Sequence, residues 1–511
     1  SYRRPDLTEP YDAMAAPRNQ ESGLTDKEEA FVLHYVGGAD GVRGNATQAA
    51  IAAGYSAKTA RAVACEAMKR PRVKKAIQDS QAKIAAKLNL NAEQVLITGD
   101  GLKPAQSGLS DKALTRLRRD YPLAKAEVPG FDPHWIVTKY EDIREITRQD
   151  AIFHSADRSK TLASQIAEQL MRQYSGGMPT IFKTLVHMDD PEHAEHRAVT
   201  QPHFYPQAIA KLEPQIRETA RRYIDEFLAK GQGADFATGL AFPYPAEVVL
   251  TLIGVPKKDH QKMLDLTHWL FTYADPDLCR PGANITDPQE IIKTWDIVYN
   301  EFKSYYESMI AERQQCPVND LTSVIANGKI GGCPMTERNM ISYLVIASTA
   351  GHDTTSATTA MGMWTLAEDP ALFQKMKANP ALIPGFVEET IRWASPVQQF
   401  TRSATQDYML RGQQIKKGDL VYLSYISANR DEEAFPEPFK FDPERTPNRH
   451  IGFGYGPHIC LGQHLARMEM RVLWEELLPR LESLELDGQP TRTAANFVTG
   501  PKSVPIRYKM N

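Results

Sequence analysis

The sequence is poor in cysteine. Five stand among 511 residues, at positions 65, 279, 316, 333 and 460, too few, too scattered and odd in number for a disulfide framework. A reducing, cytoplasmic setting is the expectation that follows. No apolar run approaches the ~20 residues that a bilayer span needs. The longest candidates, Ala246–Val255 and Tyr343–Ala350, are short and interrupted. The opening SYRRPDLTEP has no apolar stretch of the signal-peptide kind. Neither sign of charge dominates: 60 basic and 63 acidic residues leave a formal net charge of −3, which argues against a molecule built as a whole to coat nucleic acid or an acidic membrane. What remains is a chain 42% hydrophobic and 24% charged, an ordinary globular composition. At roughly 150 residues per domain, it holds about three domains' worth of core.

The chain is not uniform. Residues 1–23 are polar, carry Pro5, Pro10 and Pro17, and read as a flexible tail. Residues 24–96 read as a small all-helical domain. Thr25 and Glu28 have capping-box spacing at its start, and an Ala-rich helix after Asn45 is stopped by Gly54. Ser56 is placed to cap a helix over Ala57–Met68, and Pro71 to open a third that runs to Leu88. Two helices joined by a short Gly-containing turn form a helix-turn-helix candidate. Ten Lys/Arg against two acids between Arg43 and Leu90 make this segment basic. Residues 97–112, rich in Gly, Ser and polar groups, read as a linker. From 113 to 511 the pattern predicts one large, mainly α unit, a helical bundle with small β-sheets. Its long amphipathic stretches include Ile209–Lys230 and Trp295–Arg313, and its strand candidates are Trp135–Thr138, Ser403–Leu410 and Asp419–Ser424.

The most informative stretch is Phe453-Gly-Tyr-Gly-Pro-His-Ile-Cys-Leu-Gly462. Gly454 and Gly456 let the backbone turn where a side chain would block it. Cys460 follows, then an unbroken helical pattern, HLARMEMRVLWEELLPRLESL. A cysteine opening a long helix sits among free N–H donors at the positive end of its dipole, which favours thiolate. Such a thiolate suits a nucleophile or an axial ligand to iron. The other cysteines are too distant in sequence for a zinc site, and a buried structural thiol is the remaining alternative.

This string matches F-G-x-G-x-H-x-C-x-G, the haem-binding signature of the cytochrome P-450 family, and the chain from about Leu114 to Asn511 resembles that family throughout. The resemblance implies the cytochrome P-450 fold, haem b (iron protoporphyrin IX) with Cys460 as iron ligand, and Phe453 and Gly454 beside the cofactor. Glu389-Thr-Ile-Arg392 resembles the buried ion pair bracing the proximal side, which Arg445 of Phe441-Asp-Pro-Glu-Arg445 joins. Ala350-Gly-His-Asp-Thr-Thr355, within a helical run over Met340–Glu368, resembles the distal A-G-x-D-T element. There the Thr354 hydroxyl can bond back to the Ala350 carbonyl and loosen the helix, and Asp353 and Thr354 form an acid–alcohol relay for protons. His193 and Arg197 match H-x-x-x-R, and with Arg402 and His458 they are the expected cationic partners of the haem propionates.

The stretches LVHMDDPEH, AGHDTTS, LSYISANRDEEAF and NFVTGPKSVPIR place the resemblance in the soluble bacterial group that contains α-terpineol hydroxylase. It implies a monooxygenase that inserts one oxygen atom of O2 into a C–H bond of a small hydrophobic substrate, terpenoid or alkyl-aromatic. Val345, Thr349, Val397, Phe400, Phe497 and Val498 are the expected pocket. No flavin or iron–sulfur module follows Asn511, so the expected electron source is NAD(P)H through a separate [2Fe–2S] ferredoxin and its ferredoxin reductase. Arg445, Arg449, Arg467 and His464 are the expected basic docking face. Residues 24–96 resemble the phage terminase small subunit. Either Lys58, Arg61, Lys69, Arg70, Arg72, Lys74 and Lys75 contact DNA phosphates, or the domain serves homo-oligomer assembly or solubility. The overall acidic balance favours the second. The alternative to the monooxygenase is a haem-based, ligand-sensing DNA-binding regulator.

Overall fold

In the computed structural model, the described residues are 24–37, 46–77 and 104–511 apart from 232, 274 and 286. The chain divides into two compact units. One comprises residues 1–90, 119–124 and 409–414; the other comprises 91–118, 125–408 and 415–511.

In the first unit the capping box forms as read. Glu28 Oε2 accepts from the Thr25 backbone N–H at 3.0 Å, and Thr25 Oγ1 accepts from the Glu28 N–H at 3.3 Å, starting helix Asp26–Gly37. Helix Ala46–Ala52 ends ahead of Gly54, whose φ is 82°. The next helix runs Ala60–Lys69 rather than from Ala57. Ser56 does not cap it; residues 57–59 form a turn in which the Thr59 hydroxyl donates back to the Ser56 carbonyl. Ala49, Ala50, Ala60, Ala64 and Ala67 are buried against Phe31, Tyr35 and Ile77. Small side chains let such short helices approach closely. A further helical stretch covers 71–77, and the expected continuation to Leu88 lies outside the described residues.

The second unit is mainly helical. Helix Pro104–Asp120 occupies part of the expected linker 97–112. Its Gly and Ser content suggested a loop, but a proline in a first turn needs no N–H partner and suits a helix start. In the main sheet, His134–Val137 lies parallel to Leu420–Ser424. The latter pairs antiparallel with Gln399–Ala404, which in turn pairs with Phe153–His154. The single strand expected over Ser403–Leu410 is two, Gln399–Ala404 and Tyr408–Leu410.

Two breaks in expected helices position the site. The run Met340–Glu368 splits into Glu337–Ala350 and Asp353–Glu368. Thr354 Oγ1 donates to the Ala350 carbonyl at 3.1 Å and Thr355 Oγ1 to the Gly351 carbonyl at 3.2 Å, so hydroxyls take acceptors that regular helical N–H groups would use. After the cysteine loop, helix Gln463–Leu477 gives way to a 3₁₀ turn at Leu478–Arg480 and strand Leu481–Leu486. Pro479 removes the donor a continuing helix requires. A register shift between Leu481 and Ser483 lets Leu481 and Leu484 both face the core, imitating helical spacing in a strand.

Candidate active site

The site is built around the cysteine loop. Gly454 and Gly456 have φ of 74° and 77°. A Cβ at Gly456 would fall 2.2 Å from the Thr147 carbonyl oxygen, so glycine is required both by conformation and by the helix Tyr140–Thr147 against which the loop lies. The Cys460 N–H donates to the Phe453 carbonyl at 2.8 Å and closes the loop, and the following helix opens at Gln463. Cys460 is half-buried at the wall of a cavity that Phe453, Gly454, Thr354, Val397 and Phe400 also line. The expected bias toward thiolate is reversed in the bare protein. Burial pushes the thiol pKa up, outweighing the Gly462 N–H and the charges of Arg197 and Arg467. A metal cation bound at the sulfur would supply the missing positive charge.

The expected ion pair is present and fully buried. Arg392 donates through Nε and Nη2 to the two Glu389 oxygens at 2.8 and 2.7 Å, with both side chains fully buried. Arg445 Nε reaches the same carboxylate at 3.2 Å, and Asp442 N–H and Asn448 Nδ2 donate to it at 2.9 and 3.0 Å. Arg392 Nη1 also donates to the carbonyls of Asn429 and Pro438. One helix, Ile383–Ala394, is thereby tied to the segment before the cysteine loop, and its Ile391 lines the cavity.

On the expected cationic set the structure divides. Arg197 lines the cavity and has no carboxylate partner among the described residues; Arg402, also lining it, donates to the Thr401 carbonyl at 2.9 Å and pairs with no acid there. Both stay charged as arginines do. The two histidines do not carry charge. Burial, with Arg402 and His193 nearby, pulls His458 down to about 4 despite Asp150 at 3.2 Å, and burial with Arg197 lowers His193. Their ring centroids lie 4.0 Å apart with the planes tilted by 32°, and the buried His193 Nδ1 lies 3.5 Å from Asp190 Oδ1. Two arginines without carboxylate partners lining one cavity fit a ligand bearing two carboxylates, and Cys460 in the same wall fits its metal. Haem meets both conditions.

The distal side departs further from expectation. Thr354 lines the cavity, whereas Asp353 does not: it is buried and pairs with His268 Nε2 at 3.5 Å. Of the expected pocket, Val397 and Phe400 line the cavity, and Val345, Thr349, Phe497 and Val498 do not. The cavity face of helix Glu337–Ala350 is Tyr343, Ile346, Ala347 and Ala350; Ile346 and Ala350 stand one position along from Val345 and Thr349, which turn into the core. A one-residue offset rotates a helical side chain by about 100°. Phe497 stands behind the wall, its ring 5.4 Å from that of Phe400. Val498 is bridged to Val397 through the backbone.

Two groups at or beside the site were missed in sequence. Glu469 lines the cavity with neither carboxylate oxygen bonded, and burial raises its pKa far above the carboxylate range, so it is a neutral acid. Its place on the helix after Cys460 was the available signal. His268 had none.

Two of the four expected docking residues are engaged within the protein. Arg445 belongs to Glu389, and Arg467 donates to Glu388 at 2.6 and 3.0 Å while lying over the Phe453 ring. The cations at the loop's outer residue, Tyr455, are instead Arg144 and Arg148, 4.4 and 5.0 Å from its ring centroid.

Comparison with known proteins agrees with this architecture. A cytochrome P450 family model matches residues 93–508, and a terminase small subunit model matches residues 24–115. Cytochrome P450-terp of a Pseudomonas species is 43% identical over 392 residues, covering 77% of this chain and 92% of its own. Linalool 8-monooxygenase of Pseudomonas putida is 29% identical over 394 residues, covering 76% and 93%. The crystal structure of CYP108D1 from Novosphingobium aromaticivorans matches with a TM-score of 0.73 at 40% identity, covering 80% of this chain and 97% of that one. Fold and relatives together define a haem-dependent oxidoreductase of the monooxygenase class. The chain belongs to the cytochrome P450 family. The regulator alternative draws no support from these relatives. Among the described residues, no helix is long and apolar enough to cross a membrane.

Proposed function

We propose that this monooxygenase inserts one atom of O2 into a C–H bond of a small hydrophobic molecule, a terpenoid or alkyl-aromatic. The observation that carries the reading is the cavity itself. Cys460, Thr354 and the two uncompensated arginines share it, and Val397, Phe400, Ile346 and Ala347 give its wall apolar surface beside the polar side chains of Tyr343, Thr355, Thr358, Tyr425 and Glu469. The names of cytochrome P450-terp and linalool 8-monooxygenase point to the same substrate class. Haem b, when bound, supplies the O2 activation that no side chain can. Cys460 would ligate its iron, Arg197 and Arg402 would neutralise its propionates, and His193 and His458 would hydrogen-bond to them. Thr354 holds a hydroxyl at the loosened turn, where it can pass a proton inward from Asp353. Thr354→Ala is expected to retain substrate binding and the ferrous–CO spectrum while diverting NAD(P)H consumption to hydrogen peroxide. Product and peroxide assayed together check this, and full coupling in the variant would remove Thr354 from the relay. Titration of the ferric protein with a terpenoid panel, read as a low-to-high-spin shift, nominates the substrate.

Electrons would come from a separate [2Fe–2S] ferredoxin and its NAD(P)H-dependent reductase. Arg144 and Arg148, beside Tyr455 of the cysteine loop, are the cations best placed to receive an acidic partner.

For residues 24–96 the assembly role is preferred over DNA contact. Glu28, 2% exposed, accepts from Arg70 and Arg72 at 2.8 Å each. Although burial works to raise it, those bonds and the Thr25 N–H bring its pKa to about 2. Two of the seven expected phosphate contacts are therefore structural ion pairs. Native mass spectrometry of the full chain is expected to give an oligomer, and the same chain without residues 1–112 a monomer. A monomer in both cases would reject assembly through this domain.

A further inference from the structure

We propose that Lys160, buried behind Arg402, is the proton-exchanging residue that couples the reduction potential of the bound haem to pH. This rests on the haem-binding reading of the Cys460 cavity. Backbone bonds fix where Lys160 stands. The Thr401 N–H donates to the Lys160 carbonyl at 2.8 Å, and the Thr401 hydroxyl donates to the Ser159 carbonyl, so the segment lies along strand Gln399–Ala404. The Lys160 side chain is 5% exposed, and its Nζ donates to the Thr401 carbonyl at 3.2 Å. That same carbonyl accepts from Arg402 Nη1 at 2.9 Å. Two buried basic side chains thus share one neutral oxygen, and among the described residues neither pairs with a carboxylate. Arg402 lines the Cys460 cavity and Lys160 does not, so the amine stands behind the arginine.

A buried amine beside an arginine has two reasons to shed its proton. Burial pushes Lys160 well below the ordinary lysine value and the charge of Arg402 adds to this, while Asp189, Asp157 and Asp150 oppose it less strongly. The other titratable neighbours are held in one state. Burial, with Lys160 and His458 adding to it, pulls His187 down to about 3, and His458 itself lies at about 4, so both rings are neutral. Burial opposes the Asp150 carboxylate, but His458 outweighs it and the group stays ionised. Among these neighbours Lys160 alone is brought down from the alkaline side. Below its lowered value it carries a positive charge, and above it none. A charge behind Arg402 favours the reduced cofactor, so the potential is highest at low pH and falls as pH rises through the Lys160 value. When one electron from the ferredoxin enters the site, the neutral Lys160 amine takes up one proton from bulk solvent and becomes ammonium. Electron and proton arrive together and the net charge is unchanged. Ser159 and Thr161 on either side are half-buried, which brings solvent within a residue of the amine. Lys160 touches no reacting atom; it is a positioning residue that acts through its charge.

The test is a spectroelectrochemical titration of the full-length, substrate-free holoenzyme at a series of pH values from about 6 to about 9. The wild-type potential should fall with rising pH, by about 59 mV in all if the reduced site holds its proton about tenfold more tightly than the oxidised one. Lys160→Met keeps a long side chain with no proton to gain, and should give a pH-independent potential near the wild type's alkaline limit. Lys160→Arg, permanently charged, should also be independent of pH, but near the acidic limit. A merely structural role would move the potential without flattening its pH dependence. Glu469→Gln removes the other cavity group whose titration burial displaces, and should keep the wild-type slope. A wild-type potential that does not vary with pH, an unchanged slope in Lys160→Met, or a slope abolished by Glu469→Gln would each overturn the proposal. The ferrous–CO spectrum of each sample separates the failures. Without a thiolate-type band the haem-binding reading itself is wrong; with the band present and the slope unchanged in Lys160→Met, Lys160 alone is misassigned.

Discussion

Cys460→Ser, reduced under carbon monoxide, is expected to give no thiolate-type, red-shifted Soret band and no detectable product, while the protein remains folded. The loop does not depend on the sulfur for its shape. Gly454 and Gly456 supply the turns, and the Cys460 backbone N–H, which serine retains, closes it on the Phe453 carbonyl. What serine removes is the polarizable anion that a haem iron draws electron density from. Burial already disfavours an anion at this position, and an alcohol ionises far less readily than a thiol, so no compensating ligand forms. Circular dichroism would show the fold intact, and the ferrous–CO difference spectrum would show the ligand lost. Persistence of the red-shifted band would place the ligand on another residue.

The largest expected loss of stability is that of Glu389→Ala. Removing one partner from a buried pair leaves the other charge uncompensated, which costs about 3–5 kcal/mol. Here the exposed deficit is double, since Arg392 and Arg445 both meet the Glu389 carboxylate, and the Asp442 N–H and Asn448 amide lose their acceptor as well. Two carbonyl acceptors remain to Arg392, those of Asn429 and Pro438, and they keep the loss from growing further. The urea midpoint should fall accordingly, with haem released earlier in the transition than from wild type. Arg392→Lys on its own should also lower the midpoint, because an ammonium cannot make the two parallel bonds to Glu389 and reach both carbonyls. A midpoint within experimental scatter of wild type would show that this network does not hold the segment before the loop.

The features legible in sequence share one property: the residues that make them are neighbours along the chain. Gly454, Gly456 and Cys460 form a loop whose glycines are demanded by local backbone angles. Glu389 and Arg392 face each other because i and i+3 lie on one side of a helix. Thr354 finds the Ala350 carbonyl by the same arithmetic, as Thr25 finds Glu28. Even where the backbone changed, the cause was local: Pro479 turns an apparent helix into a strand, and Pro104 starts a helix inside an apparent linker.

What could not be read depends on which distant surfaces meet. The pocket was displaced by one helical position because amphipathic spacing says which residues are apolar and not which apolar face borders a cavity; Ile346 and Ala347 do, Val345 does not. The basic docking residues were chosen by proximity to Cys460, yet Arg445 and Arg467 are taken by Glu389 and Glu388, acids on another helix. His193 and His458 were read as cations, and burial made them neutral.

The sequence by itself determined the family, the iron-ligand candidate and the positions of the ion pair and distal threonine, since these follow from short-range backbone geometry and side-chain chemistry. Tertiary structure alone decided which charges survive, which walls the cavity has, and that Asp353 answers to His268. Ionisation, cavity shape and ion pairing are set by the dielectric and the neighbours that packing brings together, and neither is written in any one stretch of chain.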